Sequence, residues 1–343
     1  MAQDGRSDDA DYEYRKMRSD DAVRLLASES SAVHFALPDS ELAEESREQM
    51  PNAWLLPILG DAVVIGVNLP NFTANFTDLD LKIPRETLAD IFLGRIRRWD
   101  HTSLSLWNPP LAHVHEDIAL VVRSDPCAVS ETLSDALSSF SVEWRGKVGR
   151  SSRPRWPQQE IAAADDQSVA LGIIGRPYSL GFLSQNTAKM FKLRMAHIST
   201  IGGTFVAPNA LSVQSAMDSF STTVDEIAKN HGSLFAGSIV DPKGRPDAYP
   251  ISRFTYILFD PSKLECSILN FVVYLIYWVW TSPQAAAIAG SSDVACIAPA
   301  ISRILLASMK GMRCSVLATG LGVVRLAVDR YDDSFFGAGA SDP

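Results

Sequence analysis

The run Trp54–Asn68 (WLLPILGDAVVIGVN) constrains this chain more than any other feature. It is almost continuously apolar and rich in Val, Ile and Leu, where a half-buried strand would alternate polar and apolar residues. A strand of this kind is buried on both faces, so other elements have to cover it above and below.

The rest of the chain offers those elements in alternation. Tyr12–Tyr14 and Ala32–Leu37 read as short strands, with a helix expected over Asp20–Ser28 and an acidic helix over Ser40–Gln49. Arg85–Leu93 has helical spacing and is stopped by Gly94, Ile118–Val122 is a second buried strand, and Glu131–Phe140 is a helix with Ser130 as its cap. Further on come helix Ser168–Ile174, strand Ser179–Leu183, helix Asn186–Met190, a turn at Gly202–Gly203 and helix Ser212–Phe220. A Pro- and Gly-rich loop, Asp241–Ala248, precedes strand Arg253–Phe259, and two apolar helices follow around Ile268–Trp280 and Ala298–Met309. Strands alternating with helices predict an α/β protein with largely parallel sheets, and 343 residues suit two units of ordinary domain size.

Several function classes find no support. The net charge is −9, and residues 1–50 carry most of it, with no basic stripe elsewhere, which argues against a nucleic-acid partner. A small anion is still compatible, because local N–H groups can hold it whatever the global charge. Phosphate-loop, dinucleotide, zinc-protease and nucleophile-elbow motifs are all missing, so no catalytic residue, cofactor or enzyme activity is assigned. His113 and His115 would share a face on a strand, but the cluster His113–Asp117 has no second ligand group and reads as a polar loop rather than a metal site. Cys127, Cys266, Cys296 and Cys314 form no C-x-x-C pair; they read as buried small side chains, with a Cys296–Cys314 bridge open if the protein is exported. The most apolar run, Leu269–Trp280, is too short for a membrane helix of about 20 residues and reads as a core helix. Asn71-Phe72-Thr73 and Asn75-Phe76-Thr77 are glycosylation sequons.

The segment from Leu81 is more specific. Leu88-Ala89-Asp90-Ile91-Phe92-Leu93-Gly94, followed by Arg98-Trp99-Asp100, resembles the substrate-binding subunit of bacterial ABC phosphate importers. Other motifs follow in that family's order: Val63–Pro70, Val121–Asp125, Ser141–Gly149 with Trp156-Pro157, Tyr178–Phe182, Phe205–Pro208 and Tyr249–Leu258. The resemblance covers roughly residues 12–300 and implies a two-lobed type-2 periplasmic-binding fold, with two crossing strands and a central cleft. The crossings would lie near Val63–Asn68 and Tyr249–Tyr256. One lobe would comprise 12–62 plus 257–328 and the other 69–248, with 1–11 and 329–343 as loose ends.

The family's ligand is inorganic phosphate, and the resemblance places its contacts on Ser19, Asp39, Arg123, Cys127, Ala128 and Ser130. A dehydrated oxyanion needs N–H donors, hydroxyls and a guanidinium, while a carboxylate acceptor selects a protonated anion over sulfate. The chain departs from the pattern in ways that oppose the anion. Asp20 and Asp21 stand where the family has glycines, and Cys127 and Val129 replace hydroxyl donors. Losing charge-assisted hydrogen bonds costs about 1.5–3 kcal/mol each, so binding is expected to be weak. In an empty cleft Arg123 would pair with Asp125 or Asp39. The alternative is a degenerate, non-binding domain serving as a surface or scaffold module of a larger protein. A permease or other domains of that larger chain are the implied partners, and the family implies a periplasmic, extracellular or cell-surface place. The N-terminal MAQDGRSDDADYE lacks the apolar core of a signal peptide, which in an exported family points to a fragment, a domain of a larger protein or an incomplete gene model.

Overall fold

A computed structural model describes residues 13–15, 17–28, 33–70, 80–157, 161–230, 232–310 and 312. Two short helices, α1 (Ser19–Ala27) and α2 (Glu44–Gln49), lead into β1, which spans Trp54–Asn68, the whole of the constraining run. Then come α3 (Arg85–Phe92), β2 (Ala119–Arg123), α4 (Ala128–Phe140), β3 (Ile161–Ala163), α5 (Asp166–Gly175) and β4 (Ser179–Ser184). The chain continues through β5 (Ser252–Phe259), α6 (Cys266–Thr281), α7 (Pro283–Ser291), β6 (Ala295–Cys296) and α8 (Pro299–Ser308).

β1 serves two sheets. From Trp54 to Ala62 it runs antiparallel to β5, with Asp61 opposite Arg253 and Ala62 opposite Ser252. From Val63 to Asn68 it runs antiparallel to β4, with Val63 opposite Ser184. β4 in turn pairs in parallel with β2, and β2 with β3. The chain therefore changes sheet between Ala62 and Val63. It returns beside that point, where the Val63 N–H donates to Ile251 O at 2.9 Å and the Tyr249 hydroxyl donates to Val63 O at 3.2 Å. Both halves of β1 are buried because helices cover them. A Cβ on Gly60 would stand 2.5 Å from Met217 Sδ and 2.9 Å from Val213, so the absence of a side chain lets the helix Ala210–Asp218 sit directly on the strand.

The motif after α3 acts structurally. Gly94 takes φ +74° and ends the helix, while Trp99 is fully buried and donates from Nε1 to Tyr178 O at 2.8 Å. Phe92, Trp144, Trp156 and Phe182 pack into one aromatic cluster. Trp156 Nε1 then donates to Arg123 O at 3.3 Å and fixes the end of β2.

Several expectations require correction. The sheets are mixed rather than largely parallel, because all four described partners of the long strand run against it. Glu13 and Tyr14 form no strand, and the described part of the next expected strand, Val33–Leu37, is reduced to one bridge between Ala36 and Leu258. The acidic helix begins only at Glu44. Cys127, not Ser130, caps α4, which starts three residues earlier than the apolar spacing indicated. Cys296 is a free thiol, whereas Cys266 is disulfide-bonded. Both sequons and Cys314 lie outside the described residues. α6 buries Leu269, Val272, Val273, Ile276 and Trp280; among the described residues no single helix is long and apolar enough to cross a membrane, and α6 meets α7 at a 71° bend.

Candidate functional site

Arg123 ends β2 and opens the loop that leads to the N-terminus of α4. Its Nε and Nη2 donate side-on to the two oxygens of Asp125, each at 2.7 Å. Its remaining Nη1 donates to Asp166 Oδ1, from the first turn of α5. Burial works against the guanidinium's charge, but the hydrogen bond to Asp125 and the neighbouring carboxylates hold it firmly protonated. The other loop residues turn inward. Cys127 donates its thiol hydrogen to Ser130 Oγ at 3.2 Å, and the Ser130 N–H returns to Cys127 Sγ at 3.4 Å. Burial pushes the Cys127 thiol up, which keeps it a neutral donor. Ser130 is fully buried, so its hydroxyl is engaged within the cap. Ala128 is the first residue of α4, where N–H groups have no partner within the helix.

A second guanidinium lies at the sheet crossing. Arg253 on β5 donates from Nη1 to Asp39 Oδ2 and from Nη2 to Asp61 Oδ2, both at 3.2 Å. Asp39 also accepts from the Thr255 hydroxyl at 3.3 Å. Arg253 is buried; burial opposes its charge, and Asp39 and Asp61 maintain it, with a smaller contribution from Asp166. Burial also pushes the Asp61 carboxyl up from its ordinary value, against the pull of Arg253. Arg253 Nε and Asp61 Oδ1 are buried without a hydrogen-bond partner. Each is a polar group whose desolvation is uncompensated.

The N-terminal segment joins the two centres. Ser19 Oγ accepts from the Asp39 N–H at 3.3 Å, and the adjacent Arg18 donates from Nη2 to Pro126 O at 3.0 Å. Ser19, Asp39 and the Arg123–Ser130 loop are thus linked through short steps. Asp39 is taken up by Arg253 and Thr255, however, and Arg123 by Asp125 and Asp166. Of the two partners the sequence offered Arg123, Asp125 is the one used. Asp20 and Asp21, the carboxylates that the sequence set against an anion, are exposed on the first turn of α1. Asp61 and Asp166 fill that role instead. A cavity of about 40 Å³ lies beside Asp39, lined by Glu131, Asp135, Arg150 and Arg253 among others. That is room for a few waters or one small solute. His115 is paired with Asp100 at 2.7 Å, and among the described residues no group of three His, Cys, Asp or Glu could hold a metal.

Arg253 and Asp61 carried a readable signal. Each is a lone charge inside an apolar strand, and such a charge requires a partner. Asp166 carried none, because an Asp-Asp pair ahead of a helix reads as capping, and Asp165 does cap α5 through Ser168 N at 2.7 Å.

Two α/β sheets sharing one strand, with guanidiniums gathered at the crossing, define a two-lobed solute-binding fold of the type-2 periplasmic class. Residues 4–276 match the family model described as "PBP superfamily domain", and the chain belongs to that family. It is 30% identical over 243 residues to the phosphate-binding protein PstS of Methanocaldococcus jannaschii, covering 66% of this chain and 60% of that protein. The match therefore spans less than two thirds of that relative's length. A protein of Acanthamoeba polyphaga mimivirus named as a serine/threonine-protein kinase/receptor is 25% identical over 90% of this chain, which is only 18% of its own length. The fold is shared with a high-affinity periplasmic phosphate-binding protein crystallised with phosphate. That similarity has a TM-score of 0.61 at 16% identity and covers 87% of this chain and 82% of the other.

Proposed function

We propose that this domain captures inorganic phosphate or a similar oxyanion in the cleft between two lobes, weakly and without chemical turnover. The lobes would be residues 12–62 with 257–328, and residues 69–248. Phosphate would take an N–H from Ala128 at the start of α4 and a hydrogen bond from Arg123, with Ser19 donating and Asp39 accepting. Cys127 and Ser130 would hold the loop's shape. The observation that carries this reading is the contact of Arg18 with Pro126 O, which sets the Ser19 loop against the Arg123–Ser130 loop. Phosphate-binding relatives such as the archaeal PstS add support.

The weakness follows from charge. Arg123 and Arg253 each face two carboxylates, so an incoming dianion meets four negative groups for two positive ones. A second reading, a non-binding module of a larger chain, draws on the same pairing and on the long mimivirus relative. A membrane permease or adjoining domains would be the partners in the respective cases. Calorimetry with phosphate at neutral pH separates them. Heat with millimolar dissociation, abolished in Arg123→Ala, supports capture; no heat at millimolar phosphate leaves the scaffold.

A further inference from the structure

The guanidinium of Arg123 has two edges that can grip an anion side-on or end-on, and they are not equally committed. The Nε/Nη2 edge is closed by Asp125, which accepts both hydrogen bonds at 2.7 Å from within the same loop. The Nη1 side is the one left for a solute, and the Asp166 carboxylate sits on it. Asp166 is not required there by α5, because Asp165 already supplies the cap. Its second oxygen accepts the Ser184 N–H at 3.0 Å, which pins the carboxylate against β4. Ser184 stands opposite Val63 on β1, and Arg253 opposite Asp61, two residues before it. The Asp166 charge acts on Arg253 as well as on Arg123, so Asp166 is held on the side of the crossing where the second guanidinium lies.

We propose that Asp166 is a built-in competitor, an intramolecular anion that occupies the solute-facing side of Arg123 and sets how weakly the cleft takes an oxyanion. This inference rests on the reading of the cleft as an oxyanion site, and it names the residue that limits affinity there. Asp125 is a support for Arg123, since it uses the edge away from the solute. Asp166 is the obstacle, since its carboxylate already occupies Nη1, the side from which an oxyanion would approach.

A carboxylate held on the same guanidinium repels an incoming oxyanion. Neutralising Asp166 while keeping its shape should therefore tighten phosphate binding tenfold or more. The test is calorimetric titration of the full chain with inorganic phosphate, in the wild type, Asp166→Asn, Asp166→Ser and Asp166→Asn/Arg123→Ala. Glu44→Gln, an exposed charge on α2, controls for net charge. Circular dichroism confirms that each variant is folded, and the Ser variant keeps the test alive if Asn disturbs α5. A tenfold gain in either Asp166 variant, lost again with Arg123→Ala and absent in Glu44→Gln, supports the competitor. Wild-type binding that is unchanged or weakened by both substitutions overturns it and leaves the capture reading standing. A silent wild type with binding restored by Asp166→Asn supports the competitor and defeats capture by the natural chain. No binding by any variant overturns both.

Discussion

Arg123 and Arg253 are equally shielded, each 9% exposed, and each holds two carboxylates, yet they are anchored differently. The partners of Arg123 come from its own loop and from the first turn of α5, which packs on the same sheet. Those of Arg253 come from Asp39, 214 residues earlier, and from Asp61 on the neighbouring strand. One cluster is local and shapes a loop, while the other ties the N-terminal segment to the sheet crossing. A guanidinium with local partners can lose them to solvent or a ligand without disturbing the fold. A guanidinium with distant partners cannot, so Arg253 belongs first to stability and Arg123 first to binding.

The sharpest way to break this contrast is Arg253→Ala. It leaves Asp61 buried without a counter-charge and frees Asp39 from the crossing, and removing one member of a buried pair costs about 3–5 kcal/mol. Urea denaturation should show a loss of that size. A loss below about 1 kcal/mol would mean that Arg253 is no tie at all. Arg123→Ala should cost less, about 1–3 kcal/mol, because Asp125 and Asp166 retain 23% and 17% exposure and can be hydrated. Its effect on phosphate should be complete, which places the two arginines on opposite sides of the comparison.

The Asp61 carboxyl sharpens it through pH. Because burial raises it, the folded protein holds this proton more tightly than the unfolded chain does. The contribution to stability is therefore favourable below the ordinary carboxylate value and is lost as pH rises toward the raised one. The groups facing Asp61 are Arg253 and Asp39, and neither reverses that sign. Asp61→Asn should remove this part of the pH slope, seen as a difference between wild-type and variant urea midpoints from acid to neutral pH. Parallel curves would show that Asp61 does not titrate in the window.

The sequence made Arg123 and Asp125 of the local cluster visible, and of the distant cluster only the lone charges of Arg253 and Asp61, not their pairing. Trp54–Asn68 is one strand to the residue because a run buried on both faces leaves no other structure open to it. Gly94 and Trp99 stand where their motif put them, since a left-handed turn and a buried indole are local demands. The start of α4 was missed because a cysteine is a poor signal for a cap, although its sulfur accepts the Ser130 N–H. Arg123 with Asp125 was readable from two positions in one loop. Arg253 with Asp39 and Asp61 required knowing that three distant segments meet at the crossing. Asp166 required the register of β1 against β4, and no spacing within α5 encodes that.

The smallest effect belongs to the surface counterpart of these clusters. Arg150 donates to Glu131 at 3.0 Å and to Glu41 at 3.2 Å, so it also joins the N-terminal segment to α4. The topology of the link resembles that of Arg253, but Arg150 is 40% exposed and Glu41 31%. Water already solvates both charges, so breaking the pair strands neither of them. Glu41→Gln should therefore cost under about 1 kcal/mol at low ionic strength. At about 1 M salt, where screening acts within about 3 Å, it should cost nothing measurable. The loss in Arg253→Ala should persist in the same salt, because Arg253 and Asp61, 9% and 13% exposed, are shielded from the ions. If Glu41→Gln matched Arg253→Ala in size, or kept its effect in high salt, linkage between distant segments would govern stability irrespective of burial. Burial would then no longer distinguish the two centres.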